Sequence, residues 1–209
     1  SRCSICAIYP SNINNRNKKS YSENKINYRK GHKNCMNKVK LISIDLDGTL
    51  LDDSRVIPRK NIAALNKVSE QGISIVISTG SPFELIPFEQ LEGLQIDYVI
   101  TANGSATYRV KDAICIYEDC VETEQIIPVV QFLMEQDIHM DIFMEGKGFC
   151  PNKCRDIIKK LDIPKARQEY LLNKRVWIED PVSYICEKSL KVQKITINFY
   201  PDVDGTFVD

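Results

Sequence analysis

The sequence predicts an α/β protein, a parallel sheet followed by a second, α+β unit. Three observations predict it. Between residues 41 and 101 short apolar runs alternate with helix-patterned segments, the order that right-handed crossovers turn into a parallel sheet. After Asn103-Gly104 the character changes to a mixed succession of strand-like and helix-like segments. The chain of 209 residues is 43% hydrophobic and 27% charged, enough apolar material for a sizeable core.

Residues 1–37 stand apart from this pattern. Asn, Lys and Ser dominate from Ser11 to Asn37, and hydrophobic periodicity is absent, so buried area would not offset chain entropy. The segment has no apolar h-region of a secretory signal. It is strongly basic, with Glu23 its one acid, so a basic leader precedes an acidic body although the formal net charge is zero. Residues 1–37 read as a disordered or non-native leader, with Met36 the expected biological start. A net charge of zero gives no global basic field for nucleic acid. No apolar run reaches the roughly 18 residues of a membrane-spanning helix.

The elements then follow in order. Leu41–Asp45 is a short apolar run, read as a buried strand that ends in a carboxylate. Pro58 to Gln71 reads as a helix: Pro58 suits its first turn, Ile62, Leu65 and Val68 share a face, and Gly72 stops it. Ile73–Ser78 is a β-branched strand. Pro82–Leu91 is expected to be a short helix and Ile96–Thr101 a third strand. Ala113–Tyr117, His139–Met144, Arg175–Ile178 and Val192–Tyr200 look like strands, and Glu124–Gln136 and Asn152–Leu161 like helices. The first unit is expected over residues 38–107 and the second over 108–209.

The informative stretch is Leu41-Ile-Ser-Ile-Asp45-Leu-Asp47-Gly48-Thr49. An apolar strand delivers two carboxylates to its carboxyl end, the edge of an open α/β sheet where ligands bind. Two such acids repel unless a cation lies between them. Hard carboxylate oxygens suit Mg²⁺, which favours one or two protein carboxylates together with substrate phosphate oxygens. Gly48 allows a sharp turn whose amides can cradle a phosphoryl group.

These residues resemble motif I of the haloacid dehalogenase-like (HAD) superfamily, in its Cof-type branch with a type IIB cap. Ile75-Val-Ile-Ser78-Thr79-Gly80 is similar to motif II, and Ile100-Thr-Ala-Asn103-Gly104-Ser105 to the branch's Asn-Gly-Ala turn. The likeness is recognisable over residues 36–107 and looser over 108–209. It implies a Rossmann-like core, partly present, with an inserted α+β cap. It implies Asp45 as the nucleophile that accepts the phosphoryl group and as a Mg²⁺ ligand, and Asp47 as general acid and then base, with its backbone carbonyl also a Mg²⁺ ligand. It further implies phosphate contacts from Thr79, Gly80 and Asn103. Covalent catalysis splits one hard displacement into two easier ones, and the second needs a base.

Three departures qualify the likeness. The branch usually has Arg where Ser81 stands, which removes a cation. The motif III Lys and the acidic motif IV loop that follow the cap in family members are not among these residues, so turnover near background is expected of residues 36–209 alone. Asp202-Val-Asp204-Gly205-Thr206 repeats the motif I string, but Pro201 interrupts the strand before it, and a turn is expected there.

Cys3-x-x-Cys6 has zinc spacing without a second pair nearby, and Cys150 and Cys154 have no His close in sequence. The eight Cys are read as reduced thiols and the chain as cytoplasmic. His32 and His139 look isolated. The resemblance thus implies a Mg²⁺-dependent phosphatase acting on a small phosphorylated metabolite, with no nucleic-acid or membrane partner. The alternatives are a phosphotransferase or mutase on the same scaffold, or an inactive fragment that binds phosphate ligands.

Overall fold

The computed structural model describes residues 39–198, except positions 53 and 162. The leader, Met36, Cys3, Cys6, His32 and the Asp202–Thr206 repeat therefore lie outside the described residues.

The apolar runs of the first unit form strands β1 (Leu41–Ile44), β2 (Ser74–Ser78) and β3 (Ile96–Thr101), paired in parallel in the order β1-β2-β3. Helix α1 (Arg59–Glu70) makes the first crossover, and Leu65 is its buried anchor. The sheet continues antiparallel through β4 (Ala106–Arg109) and β5 (Ile114–Glu118). Tyr108, where the second unit was expected to begin, lies inside a strand of the first sheet. One core joins Leu46 and Leu50, just beyond β1, to Ile75 and Ile77 of β2, Val99 of β3 and Ala106 of β4. The expected helix Pro82–Leu91 is instead two short turns, Phe83–Leu85 and Phe88–Leu91. Pro87 forces the break: it pushes Ile86 into an extended conformation and has no N–H to donate.

The second sheet has the order β8-β7-β6-β9. Its strands are β6 (His139–Met144), β7 (Lys147–Pro151), β8 (Val176–Ile178) and β9 (Lys194–Asn198). Helices α2 (Thr123–Glu135) and α5 (Pro181–Lys188) cover one face, burying Ile126, Val130, Leu133 and Ile185 against Met140, Ile142 and Met144. Pro128 sits inside α2 at the loss of one backbone hydrogen bond, and the apolar face holds the helix across it. That face is Ile126-Val130-Leu133, shifted from the expected Ile127-Val130-Met134, whose outer two members are only partly buried. Helices α3 (Cys154–Lys160) and α4 (Lys165–Asn173) pack beside Trp177, with Ile158, Leu161 and Leu171 fully buried between them.

The two sheets meet at a defined junction. The β6–β7 hairpin turns at Glu145-Gly146, both with positive φ. A Cβ on Gly146 would lie 2.9 Å from Tyr108 Oη and 3.1 Å from Phe83 Cβ, so only glycine lets this hairpin seat on the first unit. The Glu84 amide donates to the Gly146 carbonyl at 2.9 Å. The Gln193 side chain bridges the units: its Nε2 donates to Tyr108 Oη and to Glu118 Oε1, both at 3.0 Å, while its Oε1 accepts from the Gly146 amide. Burial pushes the Tyr108 hydroxyl up to about 12, so it stays protonated through the physiological range. This junction fixes the cleft between the units.

Candidate active site

The first wall of the cleft is built at the carboxyl ends of the parallel strands. After β1 the chain makes one wide turn, closed by the Leu50 amide on the Asp45 carbonyl (3.2 Å) and the Leu51 amide on the Leu46 carbonyl (2.9 Å). Leu46 and Leu50 point into the core, while Asp45 and Asp47 stay exposed. Gly48 takes φ 71°, the left-handed region that a side chain would disfavour. Asp47 Oδ1 is paired with Arg55 Nη1 at 2.7 Å. Arg55 is aimed there by a tight turn: Asp52 Oδ1 accepts the Ser54 and Val56 amides, and Gln90 Nε2 donates to the Arg55 carbonyl.

The neighbouring turns interlock. The Thr79 amide donates to the Ile100 carbonyl (2.9 Å), the Ala102 amide to Ser81 (3.1 Å) and the Asn103 amide to Thr79 (3.2 Å). Thr79 is buried, and its hydroxyl accepts from the Ser81 amide at 3.1 Å. Asn103 holds φ 61° and lays its amide oxygen against Gly80: a Cβ there would be only 2.6 Å from Asn103 Oδ1. Thr79, Gly80 and Asn103 are thus brought together beside the Asp45–Gly48 turn. Asp47, Gly80 and Ser81 line the cleft, whereas Asp45 stands exposed at its rim, at the end of edge strand β1.

The facing wall is polar. β9 sets Lys194, Thr196 and Asn198 opposite Phe143, Asp141 and His139 of β6. Arg175 forks Asp141, Nε to Oδ1 and Nη2 to Oδ2, both at 2.8 Å, with the two side chains almost fully buried. It reaches Asp141 across β7 at Gly148, where a Cβ would lie 3.0 Å from Arg175 Cδ. Burial works to raise the Asp141 pKa, but the neighbouring His139 and the hydrogen-bonded Arg175 outweigh it and hold the carboxyl below its usual range. His139 is not isolated as the sequence suggested: its Nε2 lies 3.4 Å from Asp141 Oδ1 and its Nδ1 2.7 Å from Asn198 Nδ2. Cys150 also lies beside this pair, and all three are buried.

One residue that sequence reasoning missed crosses the cleft. Lys194 Nζ donates to the Gly80 carbonyl at 2.9 Å and lies 3.2 Å from where a Gly80 Cβ would stand, beside Asn103. It has no carboxylate partner among the described residues. Burial lowers its pKa, opposed in part by Asp141. Arg167, Tyr170 and Leu171 of α4 close the far end of a cavity of ≈ 260 Å³. Helix α4 has no amphipathic pattern to betray it, and Lys194 lies in a strand that was expected without any sign of where its side chains pointed.

Two exposed carboxylates on a sharp glycine turn, with a lysine that lacks a carboxylate partner among the described residues reaching in from the facing wall, suit a divalent cation and a phosphoryl anion. The sequence model for haloacid dehalogenase-like hydrolases matches residues 42–209, and the chain belongs to that family. Among curated relatives, phosphatase YwpJ of Bacillus subtilis is 26% identical over 121 residues, 57% of this chain and 42% of YwpJ. The 5-amino-6-(5-phospho-D-ribitylamino)uracil phosphatase YcsE of the same organism is 43% identical over 68 residues, 32% of this chain and 27% of YcsE. The matched segments thus span less than half the length of these relatives. The solved structure of a haloacid dehalogenase-like hydrolase from B. subtilis superposes with a TM-score of 0.65 at 21% identity, over 78% of this chain and 63% of that one, a likeness of fold.

Proposed function

We propose that the cleft performs phosphoryl transfer from a small phosphorylated metabolite to water by way of an aspartyl-phosphate on Asp45. The observation that carries this reading is the placement of Asp45, Asp47, Thr79, Gly80 and Asn103 at one sheet end, with Lys194 reaching in from the opposite wall. The fold divides by function into a core bearing the carboxylates and a cap, from about residue 119, bearing the facing wall.

Asp45 Oδ attacks phosphorus, and the ester oxygen leaves. Asp47 protonates that oxygen, then takes a proton from the water that hydrolyses the acyl phosphate, the acid-to-base alternation a two-step displacement requires. For this Asp47 must exchange its pairing with Arg55 for the reacting proton. The Thr79 hydroxyl and Asn103 amide hold the phosphoryl oxygens, and Lys194 balances their charge. The Asp45 carboxylate and the Asp47 backbone carbonyl, hard oxygens on one exposed turn, fit Mg²⁺. That ion would neutralise charge between the Asp45 carboxylate and the phosphoryl group. Among the described residues no helix is long and apolar enough to cross a membrane.

The expectation of near-background turnover rested on the want of both a motif III Lys and an acidic motif IV loop. In this reading Lys194 stands in for the first and the Asp45–Gly48 turn holds the ion without the second, so hydrolysis of p-nitrophenyl phosphate is expected that depends on added Mg²⁺ and disappears in Asp45→Asn. Metal-independent turnover, or turnover that survives Asp45→Asn, would sink it.

A further inference from the structure

Four cationic side chains line the cleft, Arg55, Arg167, Arg175 and Lys194, against two carboxylates, Asp47 and Asp141. Their partners sort them. Arg175 is consumed by Asp141. Lys194 stands at the Gly80 end, beside the phosphoryl position. Two guanidiniums remain, and the proposed chemistry gives neither of them anything to do.

Arg167 has no carboxylate partner among the described residues, and its guanidinium lies over the Tyr170 ring. Among the described residues Arg55 has one carboxylate partner, Asp47, and that is the group which must come free to carry a proton. Both guanidiniums lie against the same ring, 5.2 Å (Arg55) and 5.6 Å (Arg167) from the Tyr170 centroid. Arg175 adds a third at 5.9 Å. Like charges gathered on one side chain repel in the empty cleft, and low-dielectric walls concentrate that field. The ring orients the two planar forks, whose geometry matches a carboxylate or a phosphoryl group.

We propose that the phosphate ester taken by this site carries a second anionic group, a carboxylate or another phosphoryl, on its leaving half. That group docks between Arg55 and Arg167 over Tyr170. The inference rests on the phosphoryl-transfer reading, which places the scissile group at the Gly80 end and so leaves the Tyr170 end to the leaving half.

The test uses the whole chain carrying Asp45→Asn, so that esters bind without turnover, in Mg²⁺ buffer with calorimetric titration. Three ligands share one six-carbon chain: sorbitol 6-phosphate, 6-phosphogluconate and sorbitol 1,6-bisphosphate. At least one of the two doubly anionic ligands is expected to bind about tenfold more tightly than sorbitol 6-phosphate. Whichever gains more identifies the second anion as carboxylate or phosphoryl. Adding Arg167→Gln should erase most of that gain and leave sorbitol 6-phosphate affinity unchanged, whereas Arg167→Lys should keep part of it. Equal affinity for all three ligands, or a gain indifferent to Arg167→Gln, overturns the inference and spares the phosphoryl-transfer reading. If no ligand binds a folded chain, the phosphoryl-transfer reading itself falls and takes this inference with it.

Discussion

Gly80→Ala separates the geometry of the site from the stability of the fold. The new methyl carbon would stand 2.6 Å from Asn103 Oδ1 and 3.2 Å from Lys194 Nζ. Non-bonded heavy atoms rest near 3.5 Å, so the Asn103 amide must retreat by about 1 Å and Lys194 by a few tenths. Both are ends of flexible side chains, and the φ of Gly80 is not in the left-handed region. The backbone therefore accepts alanine, and the entropy gained from the unfolded chain, about 0.4–1 kcal/mol, offsets most of the strain. The melting temperature should move by only a few degrees. Function should respond differently, because a displacement of about 1 Å in a positioning group costs on the order of 100-fold in rate, or about 2.7 kcal/mol of transition-state stabilisation. The assay is kcat/KM for p-nitrophenyl phosphate in Mg²⁺, beside a thermal melt. The loss passes through Asn103, so it should largely vanish in an Asn103→Gly background, where the obstructing amide is gone and φ 61° is tolerated. A Gly80→Ala enzyme within about threefold of wild type would refute the reasoning. So would a loss of equal size in the Asn103→Gly background.

Two further predictions concern the cap wall. Asp141→Ala leaves the Arg175 guanidinium buried without its anion and should cost about 3–5 kcal/mol, whereas Asp141→Leu with Arg175→Met should be nearly neutral. Denaturant melts of both variants check this, and equal losses would contradict it. The depressed pKa of Asp141 stabilises the fold at pH values above its unfolded pKa, and that stabilisation is lost as pH falls through the folded value. Melts near pH 3 and pH 7 should therefore show a larger acid-induced drop for wild type than for the Leu/Met pair.

The parallel part of the fold was legible because β1, β2 and β3 are rich in Ile and Val and are followed by turn residues, although only β2 is mostly buried and β1, expected to be buried, is half-exposed. The carboxylates at the end of β1 were legible for the same reason: a charged pair directly after an apolar strand is a local signal. The helix expected over Pro82–Leu91 failed at Pro87, whose effect on Ile86 outweighed the apolar spacing. Strand β7 was missed because Gly148 and Pro151 weaken its pattern, although Gly148 is what lets Arg175 cross to Asp141. Helix α5 did carry a readable signal, Asp180 followed by Pro181, and Asp180 Oδ1 caps the Val182 and Ser183 amides. The facing wall of the site was not legible at all. Lys194 meets Gly80 across 114 positions of chain, and Arg55 reaches Tyr170, one turn from Arg167 on α4, only through the docking of one unit on the other.

The central claim is that Asp45 becomes phosphorylated, and borohydride trapping tests it most directly. Borohydride reduces an aspartyl-phosphate to homoserine, so the chain would be quenched with it during turnover of p-nitrophenyl phosphate in Mg²⁺ and mapped by peptide mass spectrometry. The account predicts homoserine at position 45, dependent on Mg²⁺ and on substrate, and at no other aspartate. Turnover without modification at Asp45, or with the modification at Asp47 or elsewhere, would contradict it.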